Sequence, residues 1–368
     1  MSEPLPPLPA EPRVTVIVPS FNQGAYLDDA IQSVLKQDYT HVDVWVVDGG
    51  SRDGTLDVLR GYDSEPRVQW LSEPDRGYAD AVNKGLERAE GHLVGIQSSD
   101  DFCAPGAIRQ AVEQFRRHPD LALVSGTFWR VDHAGKPIEP YDALHDEQWL
   151  TVEQCARTAD YPCQSACLFR ADLARAVGGC DIDVDWVADH DLMVRIMAAG
   201  ARQGARTLKL NRVWAYVRRH PGQRNQDRFK FKLAYVRAAE KYDRTMQNLF
   251  TPHQRRLILL QAYRGEYLFR TRQLGQGLRA WPSFARYARH QGFTEPPWRY
   301  LLELPWLLPL GVGRRAIQAL GWRLAARGDR GTPAAAHPES ARWFAREPTA
   351  ACAKNSARET RPFAGACR

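Results

Sequence analysis

The sequence predicts an α/β protein in which a doubly wound, mostly parallel sheet carries helices on both faces, followed by a basic, mainly helical C-terminal region. Three observations carry that prediction. Short β-branched runs alternate with segments of helical apolar spacing between residues 14 and 131. The apolar runs end in polar, turn-rich segments. Beyond residue 205 the alternation stops and arginines accumulate.

The elements follow in order. VTVIVPS at 14–20 is a continuous apolar run closed by a proline, and VWVV at 44–47 is a second, so both read as buried strands. Between them Leu27, Ala30, Ile31, Val34 and Leu35 recur at helical spacing. Strand, helix, strand at this separation predicts a parallel β-α-β unit. The pattern continues with a helix near 53–61, a strand near 67–72, a helix near 78–90, a strand near 92–97, a helix near 105–117 and a strand at 121–131. In such sheets ligands bind beyond the C-terminal ends of the strands. The segments there are 20–22, 48–51, 73–77 and 98–101, each polar where its strand is apolar.

Hydrophobic residues make up 44% of the 368 positions and charged residues 25%, enough apolar matter for a large core and too little charge for a disordered chain. The net charge of +7 is unevenly spread: residues 1–200 carry −16 and residues 201–330 carry +20. The second half is therefore suited to an anionic partner. No helix-turn-helix, zinc-finger or RNP-like signature accompanies the arginines, which argues against nucleic acid. The seven cysteines include no CxxC pair, so they read as reduced thiols rather than a zinc site. The Pro-rich start has no basic n-region and apolar core, and no uninterrupted apolar run reaches 18 residues; a cytoplasmic protein is expected, peripheral at most to the inner face of a membrane.

The segment with the most chemistry is IQSSDD at 96–101. Two adjacent carboxylates at the end of a buried strand repel each other unless a cation compensates. Mn2+ or Mg2+, held by one or two carboxylates plus substrate phosphates, resolves that conflict at Asp100 and Asp101. The alternative is that Asp100 caps the next helix and Asp101 is solvated. Asp48 ends another strand in VVDGGS, where glycines permit close approach of a ligand; its carboxylate could accept from a base N–H, but the segment alone favours an ordinary Asx turn. Asp189 opens a helix carrying Leu192, Ile196 and Ala199, a position where the dipole favours a carboxylate.

Taken together, VTVIVPSFNQGAYLDDAIQSVLKQDY, VWVVDGGSRDGT and SEPDRGYADAVNKGLERAEGHLVGIQSSDD resemble glycosyltransferase family 2, the inverting GT-A fold, over roughly residues 13–220. The resemblance implies transfer of a sugar from a nucleotide-diphosphate donor, with a UDP-sugar favoured, to a glycan or lipid-linked saccharide. It implies that Pro19, Ser20, Phe21 and Asp48 flank the base, that Asp100 and Asp101 serve the ribose and the metal, and that Arg76, Asp80 and Asn83 lie near the donor. Gly49 stands where many members carry a second acid, and Ser98 where the metal motif usually begins with one. By the same resemblance Asp189 is the general base, Asp191 its rival, His220 reaches the metal or diphosphate, and Gln164 lines the acceptor side.

The expected organisation is a flexible N-terminus at 1–12, a catalytic domain at 13–225, a basic helical region at 226–328 and a disordered tail at 329–368. Trp298, Trp306 and Trp322, with Arg299, Arg314, Arg315 and Arg323, suit an anionic bilayer interface, or else pack on the catalytic domain. Two other functional classes stay open at this point: a catalytically silent nucleotide-sugar-binding protein and a basic membrane-associated scaffold.

Overall fold

The structure, a computed structural model, describes residues 5–140, 147–158, 162–223 and 228–272. In chain order the strands are β1 (Val14–Ser20), β2 (Val42–Asp48), β3 (Val68–Ser72), β4 (Leu93–Ile96), β5 (Phe102–Cys103), β6 (Leu121–Val131), β7 (Pro137–Pro140), β8 (Gln148–Leu150), β9 (Cys167–Arg170) and β10 (Arg206–Arg218). The helices are α1 (Gly24–Leu35), α2 (Thr55–Arg60), α3 (Tyr78–Arg88), α4 (Ala107–Arg117), α5 (Val152–Thr158), α6 (Ala171–Ala176), α7 (Ala188–Arg202), α8 (Arg228–Thr245) and α9 (Pro252–Arg272). Short 3₁₀ turns at Gln164–Ala166 and Ile182–Val187 flank β9 and α7.

Every residue of β1 is buried, so both faces of the sheet must be covered. Side chains alternate across a strand, and the two faces of β1 meet different helices. Val14, Val16 and Val18 pack with Leu27, Ile31 and Val34 of α1, together with residues of α2 and α4. Ile17 points the other way and packs with Val82 and Leu86 of α3, alongside α6 and α7.

The sheet runs β3-β2-β1-β4-β9-β6-β10-β5, with β7 on β6 and β8 on β10. The long ladders are parallel: β1 with β2 and β4, β2 with β3, and β6 with β10. Antiparallel pairs are short and sit at β9 and the margins. This is the mixed α/β architecture the alternation predicts. The first four strands and four helices coincide with the predicted ones to within a few residues. The later strands β7 to β10 had no comparable signal, because β9 is four residues long and β10 interleaves arginines with apolar residues.

Helices α8 and α9 do not extend the sheet. They form a further core with α5, α7 and the Ile182–Val187 turn, built on Val194, Met197, Tyr242, Phe250 and Leu259. Among the described residues no helix is long and apolar enough to cross a membrane. The segment 298–325 and the tail 329–368 lie outside the described residues. Part of the N-terminal segment expected to be flexible is held in place: Leu5 and Leu8 pack on the cores, the Pro6 carbonyl accepts from Arg170, and the Pro12 carbonyl accepts from the Tyr39 hydroxyl at 2.8 Å.

The loop after α6 is joined to α7 and α8 around one buried ion pair. Arg195 donates to Asp191 one turn earlier through Nε at 2.9 Å and also through Nη2. It also bonds the carbonyls of Val177 and Gly179, each at 2.7 Å. The Tyr242 hydroxyl of α8 donates to the other Asp191 oxygen at 2.5 Å. Asp191 is fully buried. Removing one member of such a pair leaves a buried charge and costs ~3–5 kcal/mol. Urea unfolding of Arg195→Ala is expected to show a loss of that size. Arg60→Ala, which breaks the exposed pair with Asp57, is expected to leave the midpoint unchanged within error.

Candidate active site

A cavity of about 920 Å³ opens beyond the C-terminal ends of the central strands. At the end of β1 its wall is Pro19, Ser20 and Phe21, whose ring is 59% exposed at the rim. The next residue, Asn22, holds a left-handed φ of 53°, a conformation non-glycine residues rarely adopt. It is fixed there from the β2 loop: its N–H donates to Ser51 Oγ at 2.7 Å and its Oδ1 accepts from Arg52 N–H at 2.9 Å.

Asp48 organises that loop from beneath. Its Oδ2 accepts from the N–H groups of Gly50 at 3.2 Å and Ser51 at 3.0 Å, and from Ser72 Oγ at 2.6 Å; its Oδ1 accepts from Ser51 Oγ. The carboxylate is fully buried and all these donors are internal. The Asx-turn alternative therefore describes its geometry, and the carboxylate that opens on the cavity beside this loop is Asp75.

The end of β4 brings Ser98, Ser99, Asp100 and Asp101 to the cavity. Asp101 is 5% exposed and receives the Arg218 N–H of β10 and the Ser165 hydroxyl, each at 3.0 Å. Asp100 Oδ2 lies 3.0 Å from His220 Nε2, just past β10, and the imidazole packs on Tyr26 with ring centroids 4.7 Å apart. Gln164 donates to Ser98 Oγ at 2.9 Å and accepts from the Tyr78 hydroxyl.

The opposite wall is Asp185, Trp186 and Asp189, with Phe231 from α8. Asp189 stands in the first turn of α7. Asp191, two residues on and so about 200° around the helix, points into the core. It does not line the cavity, and through Arg195 it sets the position of the helix carrying Asp189. Asp185 accepts from the Ala79 N–H at 2.7 Å, satisfying one of the orphan donors at the start of α3. Its carboxylate occupies the space beside Gly77, whose φ of 115° and lack of a side chain are both needed there.

The remaining expected donor-side residues are placed outside the cavity lining. Arg76, just ahead of α3, pairs at 2.9 Å with Asp80 in its first turn, and that bond holds the Asp80 carboxyl below the usual range. Asn83 clamps Cys180, accepting its N–H at 2.7 Å and donating to its carbonyl at 2.9 Å. The cavity thus gathers Pro19, Ser20, Phe21, Asp100, Asp101, Gln164 and Asp189. It adds Asp75, Tyr78, Asp185, Trp186 and Phe231, which the sequence reading did not single out. Asp185 had a signal in the acid-rich DIDVD run; Phe231 had none, since only the packing of α8 brings it here.

Among the described residues no three His, Cys, Asp or Glu side chains are grouped as a complete cation site. Asp100 and His220 instead offer a carboxylate oxygen and an imidazole nitrogen side by side, with the Asp101 carboxyl behind them. This half-site fits a divalent ion that takes its other ligands from a diphosphate and water. Burial, and then the Asp100 charge, push the Asp101 carboxyl well above its ordinary value of 3.8. A raised pKa in the folded state means that the native chain holds the proton more tightly than the unfolded one. Stability therefore falls as pH rises above 3.8 toward the folded-state pKa. Denaturation in metal-free buffer between about pH 4 and about pH 7 is expected to show wild type losing stability relative to Asp101→Asn as pH rises; parallel curves would rule out this carboxyl as the source.

Comparison with known proteins gives concordant results. The model of "Glycosyl transferase family 2" matches residues 15–177. An uncharacterized glycosyltransferase of Mycobacterium tuberculosis is 32% identical over 191 residues, 50% of this chain and 68% of the relative. Chondroitin synthase of Escherichia coli is 27% identical over 203 residues, 55% of this chain, which spans only 29% of that enzyme. A Bacillus subtilis glycosyltransferase named for teichuronic acid biosynthesis, TuaG, is 31% identical over 163 residues, 44% of this chain and 63% of the relative. In three dimensions, residues 1–349 of S. aureus TarS in complex with UDP superpose with a TM-score of 0.56 at 18% identity, covering 76% of this chain and 80% of that one. The mannosyltransferase PcManGT of Pyrobaculum calidifontis, in complex with GDP-Man and Mn2+, gives 0.53 at 22% identity, covering 89% and 90%. At these identities the structural likeness establishes the fold.

Proposed function

The chain belongs to glycosyltransferase family 2, and from that premise we propose that it transfers a sugar, with inversion, from a nucleoside-diphosphate donor to a hydroxyl of a glycan or lipid-linked saccharide. The observation that carries this reading is the convergence on one cavity of Phe21, the Asp100–Asp101 pair and Asp189, drawn from three distant parts of the chain. The UDP bound to TarS and the GDP-Man bound to PcManGT support a nucleotide-sugar donor. The names of the chondroitin and teichuronic acid relatives support a saccharide acceptor in polysaccharide assembly. The +20 charge of residues 201–330 supports approach of that half to an anionic surface, at a membrane leaflet carrying the acceptor.

In this reading the base lies against Pro19 and Phe21 and the diphosphate faces the end of β4. Asp100 and His220, backed by Asp101, would hold a divalent ion, Mn2+ or Mg2+, whose charge offsets that developing on the leaving diphosphate. Asp189 faces the sugar from the other wall. Its carboxylate takes the proton of the acceptor hydroxyl as that oxygen attacks the sugar's anomeric carbon. The new bond forms opposite the breaking bond to the diphosphate, and the proton ends on Asp189. The aromatic side chains of Trp186 and Phe231, in edge-to-face contact with centroids 5.5 Å apart, set an apolar patch beside Asp189 on that wall.

Two measurements test the proposal. Thermal shifts with UDP, GDP, dTDP and CDP, each with and without Mn2+, are expected to show metal-dependent stabilisation by at least one nucleotide that Asp100→Ala abolishes. Donor turnover is expected to fall ~10²–10⁴-fold in Asp189→Asn while nucleotide binding persists. Equal loss of binding and turnover in Asp189→Asn would remove the general-base role.

A further inference from the structure

We infer that Asp75 reads the donor's base, accepting a hydrogen bond from a ring N–H and so selecting uracil, thymine or guanine over cytosine. The inference rests on the donor reading above and adds a specificity determinant to it.

The geometry starts at Gly49. This residue lines the cavity next to the wall made by Pro19, Ser20 and Phe21, and Asp75 lines the same stretch. A Cβ placed on Gly49 would fall 2.6 Å from Asp75 Oδ2 and 3.2 Å from Oδ1. The Asp75 carboxylate therefore fills the volume that a side chain at position 49 would otherwise take. An acid delivered from the loop after β3 occupies the place beside the β2 turn.

The two oxygens of Asp75 differ. Oδ1 accepts the Gly77 N–H at 2.9 Å, which fixes the plane of the group. Oδ2 accepts from no protein donor among the described residues. Asp48, the neighbouring acid, is sealed beneath the loop with its oxygens bound internally, so it cannot take this part. Burial raises the Asp75 carboxyl above the usual carboxylate range, the behaviour of a group that has lost water and not regained enough donors.

The chemistry of the partner follows. An ionised carboxylate only accepts hydrogen bonds, so its ligand must present a donor. The exposed ring of Phe21 on the same wall offers a stacking face for a planar heterocycle. Uracil and thymine carry N3–H and guanine carries N1–H; cytosine presents a lone pair at that ring position, which the carboxylate repels, and its donor is the exocyclic N4 amine one position away. A site built to bond a substrate N–H discriminates strongly against an analogue lacking it, because its buried acceptor is then left unpaired.

The test is calorimetric titration of UDP, GDP, CDP and ADP in Mn2+ buffer into full-length wild type, Asp75→Asn and Asp75→Ala, with thermal melting as a check on folding. Wild type is expected to bind UDP or GDP at least ~10-fold tighter than CDP. Asp75→Asn keeps the shape and the Gly77 bond but adds an N–H donor that cytosine N3 can accept. It is expected to narrow the ratio by ~10-fold or more, largely through gained CDP affinity. Asp75→Ala is expected to lose discrimination without that gain. Equal weakening of all four nucleotides, the mark of a merely structural residue, or an unchanged ratio would overturn the inference while leaving the donor reading intact. Failure of every nucleotide to bind wild type would overturn both.

Discussion

The site is organised around a carboxylate that is expensive to bury. Asp101 sits out of water next to a second acid, a combination that favours the uncharged form unless donors or a cation meet it. Two donors come from far away along the chain: Ser165 ahead of β9, 64 residues on, and the backbone of Arg218 at the end of β10, 117 residues on. Neither contact forms until the sheet has closed through β9, β6 and β10. The carboxylate thus draws the end of β4, the Gln164–Ala166 turn and the end of β10 together. Asp100 meets His220 as a direct result, because His220 is two residues beyond the strand that Asp101 anchors.

The same arrangement explains why acids recur around the cavity without collapsing it electrostatically. Asp75, Asp100, Asp101, Asp185 and Asp189 all face one volume. Asp75 is tied to Gly77, Asp185 to the start of α3 and Asp101 to β10, so much of the charge is met by backbone N–H groups. Backbone donors cannot swing away as lysine or arginine side chains can, so the negative field is fixed in position. A fixed field of this sign suits a metal-chelated diphosphate better than a bare one.

How much was legible in the sequence follows from how local each signal is. The strands β1, β2 and β4 were readable because burial on both faces demands apolar runs, and the edge strand β3, only partly buried, was readable from its place in the alternation. Strand β9 was not, since CLFR gains its identity from pairing with β4 and β6 on either side. Among site residues, Pro19, Ser20, Phe21, Asp100, Asp101 and Asp189 are at strand or helix ends, and topology alone delivers them to the cavity. Asp48, Asp80, Asn83 and Asp191 carry the same kinds of side chain but do not line the cavity. The partners that commit them are Ser72, Arg76, Cys180 and Tyr242 respectively. Arg76, and Arg195 beside Asp191, were visible four residues away; the other partners were not. Asp75 escaped notice for the converse reason: its importance depends on an absence at Gly49, 26 positions earlier, that no local pattern reports.

The bond from the Ala79 N–H to Asp185 has a consequence for how the protein can change over evolutionary time. It joins the helix that follows the donor-side loop to the turn that presents the opposite wall, and it closes over Gly77, where a Cβ would lie 2.8 Å from the Asp185 carboxylate. Neither position is free to vary while the other stays. A lineage remodelling the turn at residue 185 must keep a hydrogen-bond acceptor there or leave the Ala79 N–H unmet, and it cannot relieve the pressure by enlarging residue 77. Change on this side of the cavity is therefore channelled away from Asp185 toward Trp186 and Phe231, which are only partly buried, and the two halves of the cavity are inherited as a coupled unit.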